Sequence, residues 1–298
     1  MKTQPWQLDV NAYDFRHTLS PQYGHLDTLR HVNNVAVHGF HTEARMRHLL
    51  TLLGREALFA DDVLLRPRRT VTNFLHETHY PEDVICGVRL VAVGNDHYRL
   101  AIGLFQDGQC VSVQECLMGA WHGDQWVDLP APVHAAFAAQ LADDAALVAL
   151  PALDDGSVEV HRYPSRVAVT ARYADMDPDA RIGELALARF VEQSRTGSLN
   201  MMRKPGMGLL VARVDIRYDR WVRGLGSVEL VSALAGIGNS SFALRCGVQV
   251  DDRLVAVGES VMVLIDGASR RPTPLTAPLR QAMTPLMVAP SQASADAG

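Results

Sequence analysis

The 298-residue sequence predicts an α+β chain made of two tandem copies of one unit, each a curved antiparallel sheet wrapped around one long helix. The first observation behind this is an ungapped repeat at an offset of 150: DTLRHVNNVAVHGFHTEAR (Asp27–Arg45) faces DPDARIGELALARFVEQSR (Asp177–Arg195). The two runs share the leading Asp, Val32 opposite Ile182, Ala36 opposite Ala186, Phe40 opposite Phe190, and Arg45 opposite Arg195. The second is that the repeat continues: DGQCVSVQECLMGAW (107–121) resembles DDRLVAVGESVMVLI (251–265), and GNDHY (94–98) resembles GNSSF (238–242), both at an offset of 144. DLPAPVHAAF (128–137) likewise resembles PLTAPLRQAM (274–283) at 146. The third is the β-branched alternation of the later segments, broken by Gly, Asn and Asp turns. A repeat this long marks a symmetric pair of subunits fused into one chain. The fall in offset from 150 to 144 places a difference in loop length near the middle of the units, around DDVLLRPRRTVTNF (61–74).

Each unit reads in the same order. A first strand, about 13–20 and 165–172, enters an irregular turn built around an Asp. A helix follows, with Asn33 or Asn34 as N-cap and Ala36, Phe40 and Ala44 at helical spacing. Gly54 is placed to end it as a C′ residue. The second helix is expected from Glu184 to Met202, ending near the KPG at 204–206. The strand-like runs LLVARVDIRYDRW, SVELVSALAGI, FALRCGVQV and LVAVGESVMVLI then suggest an antiparallel meander. The expected domains are 1–150 and 158–289, with 141–158 as the linker and 290–298 as a disordered tail.

Composition narrows the function classes. A length of 298 residues fits about two domains at roughly 100–200 residues each. The formal charge of −5 argues against a nucleic-acid partner, which needs a basic footprint. No apolar run of about 18 residues is present to span a bilayer, and the N-terminus lacks the apolar stretch of a secretory signal. Cys86, Cys110, Cys116 and Cys246 form no zinc-like spacing, and three of them sit in apolar runs where a free thiol packs as a small hydrophobe. The chain therefore reads as cytoplasmic, reduced and free of metal or other cofactors.

The segment DTLRHVNNVA from Asp27 to Ala36, with EAR at 43–45, resembles the signature of the hotdog-fold thioesterases. It is most similar to the branch holding 4-hydroxybenzoyl-CoA thioesterase and the acyl-carrier-protein (ACP) thioesterases. RYADMD (172–177) resembles the same family's entry to its catalytic turn. The resemblance implies two tandem hotdog domains paired as a pseudo-dimer, with active sites between paired units. It also implies hydrolysis of an acyl-CoA, or of an acyl-ACP, to a free acid. Asp27 and Asp177 match the family's catalytic Asp, and His31 matches the catalytic His of the ACP branch. Asn33 and Asn34 would orient substrate or cap the helix.

Physical chemistry is consistent with those roles. Thioester hydrolysis needs a base or nucleophile beside the carbonyl and donors for the developing oxyanion. An Asp before a helix faces unsatisfied first-turn N–H groups at the positive end of the helix dipole. The alternative for each residue is structural: Asp27 as a turn residue, His31 as a satisfied turn histidine, the Asn pair as turn holders. Glu43 is either a helical substrate-site carboxylate or the i,i+4 partner of Arg47. Arg66, Arg68 and Arg69 either meet coenzyme A phosphates or form a solvated basic loop. Met201, Met202 and Met207 either line an acyl pocket or pack in the core.

The second copy departs from the first. Arg181 stands where His31 does, and Gly183 and Glu184 replace the Asn pair, so its site is either degenerate or dependent on Asp177 alone. Leu29 also stands where the ACP branch has Asn, which leaves Asp27 with His31. The alternative function is a non-catalytic acyl-thioester-binding or assembly protein of the same fold; a hotdog dehydratase or hydratase ranks last, its motifs being absent. A homodimer of the doubled chain is a further expectation.

Overall fold

The computed structural model describes residues 3–60, 62–141, 160–198 and 206–288. The chain divides into two compact units, Met1–Leu153 and Asp154–Gly298. The linker expected over 141–158 lies almost wholly outside the described residues, as do the tail, Met201, Met202 and the expected end of the second helix.

In the first unit, β1 (Phe15–Leu19) precedes the helix α1 (Asn34–Leu58). Then come β2 (Leu64–Phe74), β3 (Val84–Val93), β4 (His97–Gln106), β5 (Gln109–His122), β6 (Gln125–Val127) and α2 (Ala131–Gln140). The strands run in the order β1-β3-β4-β5-β2, every pair antiparallel, with β6 on β5. In the second unit the elements are β7 (Ser165–Thr170), α3 (Glu184–Ser198), β8 (Met207–Tyr218), β9 (Ser227–Ile237), β10 (Ser241–Val250), β11 (Arg253–Asp266) and α4 (Ala277–Met283). Their order is β7-β9-β10-β11-β8, the same topology.

Local chemistry explains the meander. Asp107 (φ 52) and Gly108 (φ 76) form the two-residue turn between β4 and β5, and Asp251 (φ 48) and Asp252 (φ 61) do the same between β10 and β11. Two consecutive left-handed residues give the twist that a two-residue hairpin requires. The α1 residues Val37, Phe40, Ala44 and Leu49 bury against Val88, Leu100 and Ile102 of the sheet. Gly54 takes φ 78 and ψ 172, interrupting the helical backbone, and a further turn reaches Leu58.

The change in offset can be located. Arg45 Nη1 meets Cys116 Sγ at 3.2 Å and Arg195 Nη1 meets Ser260 Oγ at 3.0 Å, so the helices remain 150 apart while β5 and β11 are 144 apart. Thr72 pairs with Gln114 as Ile216 pairs with Gly258, so β2 and β8 are already at 144. The difference therefore falls between mid-helix and the following strand.

One expectation needs correction. Arg66, Arg68 and Arg69 do not lie in a solvated loop but within β2, where Arg66 and Arg69 are buried. The 128–137 and 274–283 repeats form short helices, each with Pro in its first turn. All four cysteines are buried thiols. Among the described residues no helix is long and apolar enough to cross a membrane.

Candidate active site

The turn between β1 and α1 orients Asp27. Its backbone N–H donates to the His31 carbonyl at 2.9 Å, and Arg30, at φ 66, allows the chain to reverse and donates its N–H to the Asp27 carbonyl at 3.0 Å. Asp27 Oδ1 accepts the N–H groups of Leu29 at 2.8 Å and His31 at 3.3 Å. The other carboxylate oxygen has no hydrogen-bond partner among the described residues. This is an Asx turn that fixes one oxygen and leaves the other available for chemistry.

His31 Nε2 lies 3.3 Å from Glu77 Oε2, with both side chains only partly exposed. The His79 ring meets the His31 ring edge-on at 5.5 Å. Glu77 reaches this place because Val32 N–H donates to the Thr78 carbonyl at 2.9 Å, tying the segment after β2 to the Asp27 turn. Sequence reasoning missed Glu77: it is 46 residues from His31, and only strand register brings them together.

Asn33 is the N-cap of α1. Its side chain accepts the Val35 N–H at 2.7 Å, and its carbonyl accepts Val37 N–H at 2.9 Å. The amides of Asn34 and Ala36 have no partner among the described residues. They are first-turn donors of the kind an oxyanion requires.

The second unit repeats the turn but not the side chains around it. Asp177 Oδ1 accepts the N–H groups of Asp179 at 2.9 Å and Arg181 at 3.1 Å, and Ala180 takes φ 55 where Arg30 takes φ 66. Ile182 N–H donates to the Val222 carbonyl, which puts Trp221 in the place of Glu77. Arg181 and Trp221 are both buried, and Arg181 Nη1 donates to the Trp221 carbonyl. An imidazole–carboxylate pair has become an arginine against a tryptophan, which offers no base at neutral pH. The N-cap is Gly183, where a Cβ would lie 3.2 Å from that of Asp177. Asp175, buried, occupies the position of His25 and accepts the Arg172 N–H at 2.8 Å. Burial opposes its ionisation, but the Arg172 hydrogen bonds hold its carboxyl below the usual range.

The remaining sequence candidates lie in other settings. Glu43 accepts Arg47 Nε at 2.6 Å as a half-exposed i,i+4 pair. Arg68 donates to the Asp96 carboxylate at 2.8 Å and its guanidinium stacks 4.7 Å above Trp126. Asp96 in turn accepts from His97 Nδ1 at 2.7 Å, and hydrogen bonds from His97, the larger effect, and from Arg68 hold its carboxyl below the usual range. Arg69 is buried within β2, and Met207 packs against the apolar cluster of Phe242, Leu244 and Met262.

A second group escaped the sequence reading: a buried polar face on α1. Gln114 Nε2 lies 3.2 Å from His38 Nδ1 and donates to Thr72 Oγ1 at 3.0 Å. His41 Nε2 lies 3.0 Å from Ser112 Oγ. Comparison of the two copies at their proper offsets would have exposed this group, because the counterparts are not polar.

With this geometry in place, comparison with known proteins adds the following. The model of the Thioesterase-like superfamily matches residues 169–283. No curated protein matches the chain. Among solved structures, the 12:0-ACP thioesterase from Umbellularia californica superposes with a TM-score of 0.67 at 16% identity, covering 87% of this chain and 94% of the other. An acyl-ACP thioesterase from Bacteroides thetaiotaomicron superposes with a TM-score of 0.64 at 10% identity, covering 83% and 97%. The protein is a tandem hotdog chain whose second unit carries the sequence pattern of the Thioesterase-like superfamily.

Proposed function

We propose that this protein is a thioesterase that hydrolyses an acyl-CoA or acyl-ACP to a free acid and a thiol, using the first unit's turn. The observation that carries the reading is the Asp27 turn beside a Glu77-held His31 at the entrance of α1. The 12:0-ACP and acyl-ACP thioesterases of similar fold support the substrate class.

In this reading the thioester carbonyl oxygen sits at the amides of Asn34 and Ala36, which stabilise its developing negative charge. The unpaired oxygen of Asp27 takes a proton from the attacking water, or attacks the carbonyl carbon itself to form a mixed anhydride that water then opens. The C–S bond breaks, and the sulfur leaves as a thiol after receiving a proton from His31. Glu77 fixes the imidazole's orientation and favours its charged form. Asn33 serves as the cap that holds the first turn in place rather than as a reacting group. Four buried thiols support a reducing, cytoplasmic setting.

The test is release of free thiol from a panel of acyl-CoAs and acyl-ACPs. Turnover by the wild type is expected. Saturable binding with no release from any of them would replace the enzyme with the acyl-thioester-binding alternative.

A further inference from the structure

Gln114 is fully buried, with 0% of its surface exposed, yet its Oε1 has no hydrogen-bond partner among the described residues. Whichever way the amide is turned, one of its two polar atoms remains unsatisfied, because only His38 and Thr72 meet it. Asn34 Oδ1, on the same face of α1 one turn before His38, is also buried without a partner among the described residues. The turn spans about 6 Å of helix axis. This polar strip thus starts at the very residue whose amide faces the proposed oxyanion.

The second unit is an internal control. At the corresponding positions it has Ala188 for His38, Val191 for His41, Ile216 for Thr72, Ala256 for Ser112 and Gly258 for Gln114. Those residues are all buried or nearly so, and the same fold forms without a polar group among them. At Gly258 a Cβ would lie 2.8 Å from the Val191 methyls, so helix and strand meet directly. In the first unit a glutamine side chain stands in that place. Buried polar groups cost desolvation that an apolar core avoids. At these five positions the fold does not need them; only at the Asn34 position does the second unit also bury a polar residue, Glu184.

From this juxtaposition we infer that Gln114, with His38, Thr72 and Asn34, selects an acyl group bearing a hydroxyl over the same group without it. A hydroxyl donates and accepts, so it satisfies Gln114 in either orientation of the amide. The inference rests on the thioesterase reading and gives it a substrate class, a hydroxylated acyl thioester.

The experiment measures kcat/KM of the wild type on butanoyl-, octanoyl- and dodecanoyl-CoA, each beside its 3-hydroxy and terminal-hydroxy counterpart. The two hydroxyl positions distinguish a contact near the thioester from one deeper in the site. The expected result is about tenfold or greater preference for one hydroxylated member of a pair. Gln114→Leu and, with smaller change of shape, Thr72→Val should bring that ratio towards one, with unfolding temperature measured to confirm folding. Hydrolysis with no preference in any pair would overturn the inference while leaving the thioesterase reading intact, the polar strip then holding structural water only. Hydrolysis of none of them, nor of the corresponding acyl-ACPs, would overturn both.

Discussion

Asp27 and His31 are arranged by different means, and this decides how each responds to substitution. Backbone amides within the turn fix Asp27, whereas a side chain from after β2 fixes His31. His31→Gln should therefore lower kcat by about 100-fold or more with the fold unchanged. Glu77→Gln should lower it less and alter the pH profile of kcat, because it removes the charge that favours imidazolium without removing the imidazole. An unchanged pH profile in Glu77→Gln would leave Glu77 with a structural role only. His48 offers a residue-scale prediction about stability. It is buried, Nε2 lies 3.1 Å from Gln140 Oε1, and burial holds its pKa below the usual histidine value. The folded protein thus binds this proton less readily than the unfolded chain, so its contribution is present above about pH 6.5 and is lost as pH falls through the lowered pKa. His48→Leu should flatten that part of the dependence of unfolding temperature on pH.

At the scale of elements, the α1 entrance couples stability to the proposed chemistry. The Asn33 side chain satisfies one first-turn amide and leaves those of Asn34 and Ala36 for an oxyanion. Asn33→Ala should cost about 1 kcal/mol in a denaturant titration, while Asn33→Ser and Asn33→Asp, both good caps, should retain stability. If those two also retain activity, Asn33 acts by capping; loss of activity in both, with stability kept, would make it a reacting group. Most of these elements were legible in the sequence because their signals are local. The Asp-led turn, the Asn cap, the break at Gly54 and the strand alternation all depend on neighbouring residues. Three features were not legible. Arg66, Arg68 and Arg69 read as a loop because charge outweighs the strand pattern until the burial of β2 is seen. Glu77 needs a register that no local pattern supplies, and the pairing of His38 and His41 with β5 needs to be known before their polarity means anything.

For the whole molecule, duplication has kept the backbone of the turn and changed the side chains around it. The two turns match bond for bond, from the Asp side chain accepting the amides two and four residues on to the left-handed residue before its partner. The side chains around them have diverged. His31 and Glu77 correspond to Arg181 and Trp221, and His38 and His41 along α1 correspond to Ala188 and Val191 along α3. A homodimer must keep both sites identical, whereas a fused chain is free of that constraint. A single active site per chain is the consequence proposed here. The most direct measurement is thiol release by Asp27→Asn and Asp177→Asn, each compared with the wild type at saturating acyl thioester. Loss of turnover in Asp27→Asn with most of it retained in Asp177→Asn is the predicted result; the reverse ranking would contradict the account.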